Sequence, residues 1–561
     1  MKKIALLPLL FCSCLLLSQS DPLVKKLDSL TTFIDTIINM EPGTSVVITK
    51  ENRRLFAASN GLSSIELKTE NNINTMYDLA SIAKMFTGYC IATLEHQGKL
   101  SMEDDIRKYL KDFPVYEHPI TIQHLVHHTS GIKNWTYLIQ EVSWASEDKI
   151  STDQLLRLIY AQKNLDFTPG ERYKYCNSGY VLLTAIIEEV TQQSFVEWTN
   201  EHIFEPLKMD HTFFNDNQNR MIPGMASAYR LNSDDAIIRE AYNTSALGSS
   251  SLISNAVDME KWMNFLLYPP EDKKAIVELM LTTRPLNNGE SNNYAYGIEI
   301  EDYNGQTIIG HSGSWASFTS QMTLIPDQKI GVFFANNYRV YTNPIMELYL
   351  DVLIPEEEAS SLPEEEEEEA EADDETQEEV IVATAQLDKY LGLYKLKDAW
   401  YIEITRKGGD LYTRANGERA FYMKPLNDST FLVRNYGNRT ITFVADADGS
   451  VNQLIYNEME APKKTEPFYF DSEAFKKYEG VYYSTELDIL YNIKVTDDKM
   501  YYSNIKTGRY EVICENDTLF FTEGRLSKLL FEQNSAGQIV GFYKINSRSE
   551  KLFYFKKANT L

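Results

Sequence analysis

The chain has 561 residues, 43% of them hydrophobic, and a formal net charge of −27. That length exceeds one ordinary domain and has room for two to four. With no basic patch against so acidic a balance, the composition argues against nucleic acid or an anionic membrane surface as partner. Residues 1–20 read as a signal peptide: Lys2 and Lys3, an apolar run over 4–17, then Ser18-Gln19-Ser20 as a small-x-small cleavage site. The run is short for a membrane span, and no later stretch is long enough. The expectation is export, to the periplasm or the extracellular space. Cys12 and Cys14 leave a lipid-anchored N-terminus as the weaker alternative, because Leu15, Leu16 and Leu17 follow them and a lipobox fits poorly. After cleavage Cys90, Cys176 and Cys514 remain, a set too odd and sparse for a disulfide framework.

Residues 21–354 alternate helical and strand-like patterns. Strands are expected over 46–49, 54–58, 307–310, 319–325 and 330–335, and helices over 85–98, 154–162 and 180–192. At the head of the first helix stands Ser81-Ile82-Ala83-Lys84. Residues three apart on a helix share a face, so this hydroxyl and this amine can meet. An amine beside a serine hydroxyl is what turns it into a nucleophile. The N-terminal end of a helix favours the negative charge that builds up in acyl transfer. By itself the motif is also an ordinary helix start. Tyr175-Cys176-Asn177 follows downstream, and His311-Ser312-Gly313-Ser314 lies between two strand-like runs.

This ordered set resembles the serine beta-lactamase-like hydrolases, which take in class C beta-lactamases, D,D-peptidases, D-aminopeptidases and some esterases. Class A enzymes and penicillin-binding proteins share a related Ser-x-x-Lys set. Segments 125–132, 248–254 and 321–337 also match, and the resemblance covers roughly residues 25–350. It implies an α+β fold, an antiparallel sheet flanked by helices. It also implies roles. Ser81 attacks a carbonyl to form an acyl-enzyme, and Lys84 and Tyr175 share the base. Asn177 holds the substrate amide and helps position Lys84. The backbone N–H groups of Ser81 and Ser314 form the oxyanion hole, and His311 and Gly313 line the substrate site. No cofactor and no metal are expected. His127 and His128 are adjacent, so they do not face one site on a helix or strand, and the family's loop motif accounts for them better than metal binding.

His311 departs from the Lys that many penicillin-recognising relatives carry there. An imidazole with an unperturbed pKa of about 6.5 is mostly neutral at pH 7, so strong recognition of a terminal carboxylate is not expected. The reading leans to a D-aminopeptidase-like peptidase acting on a small peptide or ester. A carboxylesterase, a true beta-lactamase or D,D-peptidase, and a non-catalytic binding protein stay open as alternatives, and the sequence leaves the oligomeric state undetermined.

Residues 355–383 carry runs of glutamate, including 364–369, and read as an acidic, extended, disordered linker. Beyond it, short alternating runs rich in Tyr, Phe, Ile and Val replace helical periodicity. Tyr390-Leu391-Gly392-Leu393-Tyr394 recurs as Tyr478-Glu479-Gly480-Val481-Tyr482, an offset of 88 residues. That is long for a solenoid unit and right for a small barrel. Two lipocalin-like β-barrels are expected, over 384–470 and 471–561, with two halves of one larger barrel as the alternative.

Overall fold

The computed structural model describes residues 21–355 and 384–557, less 39–40, 143, 145–146, 233–235, 242, 341, 398–399, 416–419, 434–438, 457, 466–469, 497–498, 505, 507, 515–519, 523–527 and 547–548. The expected signal peptide and nearly all of the expected acidic linker lie outside the described residues. Two units form. Among the described residues, one draws on those within 21–135, 145–160 and 167–355, the other on those within 136–144, 161–166 and 384–557.

The first unit is built on a six-stranded antiparallel sheet. Its strands are β1 (Thr44–Lys50), β2 (Arg53–Asn60), β3 (Glu299–Tyr303), β4 (Gln306–Trp315), β5 (Phe318–Ile325) and β6 (Ile330–Asn336), in the spatial order β3-β4-β5-β6-β1-β2. Central strands here do not alternate apolar and polar residues: all seven residues of β6, Ile-Gly-Val-Phe-Phe-Ala-Asn, are buried. A sheet covered on both faces demands this, since neither face meets water. On one face lie helices α1 (Pro22–Ile38) and α2 (Thr342–Leu353), which close a core of Leu27, Ile34, Val46, Ile48, Val332 and Phe334. Burying each such aliphatic side chain stabilises by about 1.5–3 kcal/mol.

A third helix, α3 (Ala83–His96), is buried from Ala83 to Leu94. A helix apolar nearly all round belongs in a core. Phe86 stacks on Trp262, with ring centroids 4.3 Å apart. Gly88 is forced to be small, because a Cβ there would sit 2.0 Å from the Tyr296 carbonyl oxygen. The α+β architecture agrees with the expectation from sequence.

In the second unit the expected change of texture is a change of architecture. Eight strands from Gly392–Lys397 to Met459–Pro462 pair each with the next. The last returns to the first through a Tyr394–Lys463 bridge and a Lys464 N–H bond to the Leu393 carbonyl at 2.7 Å. Eight more, from Gly480–Ser484 to Ser549–Lys556, form a closed barrel. The strands thus form two separate sheets, not the two halves of one larger barrel that stood as the alternative. Closing a sheet removes its exposed edges. The sequence repeat is a repeated device: Tyr394 donates its hydroxyl to the Tyr390 carbonyl at 2.8 Å, and Tyr482 does the same to Tyr478 at 2.6 Å. Buried inside this unit, Lys544 Nζ meets Glu141 at 2.9 Å and the Tyr502 hydroxyl at 3.2 Å, and the Tyr554 hydroxyl donates to Glu141 at 3.0 Å.

Candidate active site

Ser81 sits on a single 3-10 turn (Ala80–Ile82) that runs into α3, and Lys84 lies in the first turn of that helix. The turn is held from three sides. The Ala80 N–H donates to Asp78 Oδ1 at 2.8 Å, the Leu79 N–H to the Leu252 carbonyl at 2.8 Å, and the Ser320 hydroxyl to the Leu79 carbonyl at 2.9 Å. Ala80 takes a left-handed conformation, φ +49°. Such a residue persists only where its surroundings over-determine it. Strand β4 presses on the same turn: a Cβ on Gly313 would come 2.2 Å from the Leu79 oxygen. Only glycine brings β4, and with it the following Ser314, so close.

Lys84 is fully buried and its Nζ has three polar neighbours: Asn177 Oδ1 at 2.8 Å, the Ser249 carbonyl at 2.7 Å and Ser81 Oγ at 3.1 Å. Burial pushes its pKa well down, while Cys176 and Glu299 pull the other way. The hydrogen count then becomes informative. A neutral amine has two N–H groups and one lone pair. Asn177 Oδ1 and a backbone carbonyl can only accept, so both N–H groups go there. The lone pair is left facing Ser81 Oγ, the arrangement a general base requires.

Asn177 opens helix α4 (Asn177–Thr191), with Cys176 in extended conformation at its cap. Tyr175 precedes them, half-buried. Burial around its hydroxyl raises its pKa well above that of a free phenol, and a hydrogen bond with Ser81 opposes this. Tyr175 is thus a phenol at rest. The sequence reading shared the base between Lys84 and Tyr175; burial shifts the two in opposite directions, the amine down and the phenol up. Lys84 Nζ lies 5.0 Å from the Tyr175 ring centre.

His311 is buried on β4, paired with Met322 of β5. Burial lowers its pKa to about 3. Its Nδ1 lies 2.5 Å from the Ser312 carbonyl, which can only accept. So Nδ1 carries the proton and Nε2 is the acceptor. The Tyr294 hydroxyl lies 2.9 Å from Nε2 and the Tyr175 hydroxyl 3.4 Å.

The adjacent histidines part company. His127 Nδ1 lies 2.8 Å from the Tyr294 carbonyl, and His128 Nδ1 accepts the Cys176 N–H at 3.2 Å. Burial lowers both pKa values, His127 to about 4. Each serves as a neutral clasp on a different segment. Among the described residues, no group of three or more His, Cys, Asp or Glu is placed to hold a metal ion, and no helix is long and apolar enough to cross a membrane.

Ser81, Lys84, Tyr175, Asn177 and His311 thus converge, and Gly313 brings Ser314 past the Ser81 turn. Sequence reasoning missed five contributors. The Ser249 carbonyl belongs to a segment that matched the family as a string, with no sign that its backbone would take the lysine. Gly248 is what delivers it: φ is +76°, and a Cβ there would lie 2.3 Å from Thr184 Cγ2. Tyr294, Glu299 and Asp78 carry no spacing signal at all. The Glu299 carboxyl is raised to about 7 and that of Asp78 to about 7, in both cases chiefly by burial.

The family described as Beta-lactamase matches residues 37–347, and a domain of unknown function, DUF3471, matches residues 376–471. Protein flp of Staphylococcus aureus (strain MRSA252) is 30% identical over 331 residues, 56% of this chain and 64% of that protein. The match therefore spans less than two thirds of that relative's length. Penicillin-binding protein 4* of Bacillus subtilis (strain 168) is 24% identical over 434 residues, 72% of this chain and 90% of that protein. Among solved structures, the octameric penicillin-binding protein homologue from Pyrococcus abyssi superposes with a TM-score of 0.56 at 24% identity, covering 78% of this chain and 100% of that one. At that identity the likeness concerns the fold alone.

Proposed function

The chain belongs to the beta-lactamase family, and from that premise we propose that it is an exported serine hydrolase opening an amide or ester through an acyl-enzyme on Ser81, with short peptides of D-amino-acid type as preferred substrates. The observation that carries this reading is the trio around Lys84 Nζ, with two pure acceptors and the Ser81 hydroxyl.

Ser81 Oγ attacks the substrate carbonyl carbon and passes its proton to Lys84. The N–H groups of Ser81 and Ser314 hold the oxyanion; losing one such donor typically costs about a hundredfold or more. As the C–N or C–O bond breaks, the leaving group takes the Tyr175 proton, and Lys84 returns its own to the phenolate. Water then attacks the acyl carbonyl and gives its proton to the neutral Lys84 amine, and Lys84 returns a proton to Ser81 Oγ as the acyl bond breaks. Asn177 holds the substrate amide beside Lys84.

His311 decides the leaning within the family. A neutral imidazole whose acceptor nitrogen is already engaged offers no fixed positive charge to a substrate carboxylate. Substrates without a carboxylate at that point are favoured, as in D-aminopeptidase-like or esterase-like hydrolysis. The test compares wild type and Ser81→Ala on a D-alanine anilide, its L-isomer, a short-chain aryl ester and a chromogenic cephalosporin. Ser81-dependent cleavage led by the D-anilide supports the proposal. Cleavage of the ester alone makes it an esterase, and a preference for the cephalosporin overturns the His311 argument. Absence of any acyl adduct on Ser81 sinks the enzyme reading.

A further inference from the structure

We propose that Tyr294 is a positioning residue for proton delivery: it occupies the acceptor nitrogen of His311 and so leaves the Tyr175 hydroxyl free for Ser81 and the departing group. This rests on the acyl-enzyme reading above and deepens it.

The argument begins with a count of lone pairs. His311 Nδ1 is committed to the Ser312 carbonyl, so Nε2 has one lone pair and no proton. Two phenols compete for it, Tyr294 at 2.9 Å and Tyr175 at 3.4 Å. The shorter separation lies within the ordinary hydrogen-bond range and the longer one beyond it. Tyr294 therefore holds the site.

The hold is built into the fold. Tyr294 is 2% exposed, and its backbone is clamped at both ends. His127 Nδ1–H donates to its carbonyl at 2.8 Å, the Tyr294 N–H donates to Asn292 Oδ1 at 3.2 Å, and Asn292 Nδ2 ties back to the His127 carbonyl at 3.0 Å. The next residue in that loop, His128, lies between the two phenols, its ring 4.3 Å from Tyr175 and 4.4 Å from Tyr294. One loop thus sets both competitors. Without the Tyr294 hydroxyl, Nε2 would be an unpaired buried acceptor, and Tyr175 is the only other donor at hand for it in the structure described. Tyr175 would then spend its proton on the imidazole.

That diversion has a signature that mere damage to the fold lacks. A nitrophenolate departs without a proton, whereas an alkoxide must be protonated as it leaves. The experiment uses the full chain as wild type, Tyr294→Phe, Tyr175→Phe and the double variant, with the ethyl and p-nitrophenyl esters of D-alanine. Tyr294→Phe is expected to slow the ethyl ester about tenfold and the p-nitrophenyl ester less than twofold, and to have no further effect in the Tyr175→Phe background. Equal losses on both esters, or the same loss with Tyr175 absent, overturn the proposal. The 15N shift of His311 Nε2 gives a readout without turnover: it is expected to move in Tyr294→Phe, and an unmoved signal also overturns the proposal. Failure of both esters to acylate Ser81 in wild type would instead sink the acyl-enzyme reading, leaving the imidazole signal to decide the Tyr294 contact alone.

Discussion

Replacing Asn177 by leucine isolates the orientation of the Lys84 amine. In the wild type the productive orientation makes three hydrogen bonds: N–H to Asn177 Oδ1 at 2.8 Å, N–H to the Ser249 carbonyl at 2.7 Å, and acceptance of the Ser81 proton at 3.1 Å. Turning the lone pair to Asn177 Oδ1 instead would set two acceptors face to face, so the productive orientation dominates. Leucine removes one acceptor. The productive orientation then keeps two bonds and leaves a buried N–H unpaired. A rival orientation donates to Ser249 and Ser81, also keeps two bonds, and points the lone pair away from the serine. A buried donor left unpaired costs about 1–3 kcal/mol. At 1.36 kcal/mol per factor of ten, acylation should fall by about 5- to 150-fold. The assay is the rate at which p-nitrophenyl acetate acylates Ser81. This ester lacks the amide that Asn177 is expected to hold, so loss of substrate binding does not confuse the result. Asn177→Asp separates charge from orientation. Its carboxylate would keep the acceptor but stabilise the Lys84 ammonium, raising a pKa that burial now lowers. Since the base must be neutral, that variant should be poor at pH 7 and recover as pH rises, whereas the leucine variant should be impaired across the range. Acylation of Asn177→Leu within twofold of wild type would refute the amine orientation argued from these distances.

Glu299→Gln should move the acid limb of kcat/KM to lower pH. Burial raises the Glu299 carboxyl to about 7, and once ionised it favours the charged form of Lys84; removing it lets Lys84 stay neutral further into acid. An upward or absent shift in the pH profile contradicts the sign. For Gly313→Ala, the new methyl would lie 2.2 Å from the Leu79 oxygen and 2.5 Å from Ser320 Oγ. Overpacking of this kind costs about 1–3 kcal/mol, and displacing the Ser81 turn by an ångström costs about a hundredfold in rate. Acylation at the wild-type rate would show that β4 does not set the nucleophile. In the second unit, Glu141→Gln should leave Lys544 buried without its carboxylate and lower stability by about 3–5 kcal/mol. Urea unfolding of the full chain reads this as a lower midpoint, and the paired Glu141→Leu with Lys544→Met should restore most of it; an unchanged midpoint in Glu141→Gln rejects the role of the pair.

The part of the site that sequence alone determined is the part governed by short spacing. Ser81 and Lys84 are three residues apart, so helix geometry by itself brings them to one face. Tyr175 and Asn177 flank a helix start, whereas the strand expected over 307–310 runs on to Trp315 and carries His311 and Gly313, which the pattern had left between two strands. The 88-residue echo likewise marked a repeated β-structure, because Tyr390 and Tyr394 return as Tyr478 and Tyr482 with the same bond between them. Only the tertiary structure decided how these groups behave. The acceptor that orients Lys84 is a carbonyl at Ser249, and every residue has a carbonyl, so its identity leaves no mark in the chain. Tyr294 reaches His311 because a loop 167 residues upstream, at His127, clamps its backbone, a separation beyond any local pattern. The protonation states follow burial, which raises the Tyr175 phenol and lowers the Lys84 amine and the His311 imidazole. Desolvation acts through everything packed around a charge, and that surrounding exists only once the strands, helices and loops have come together.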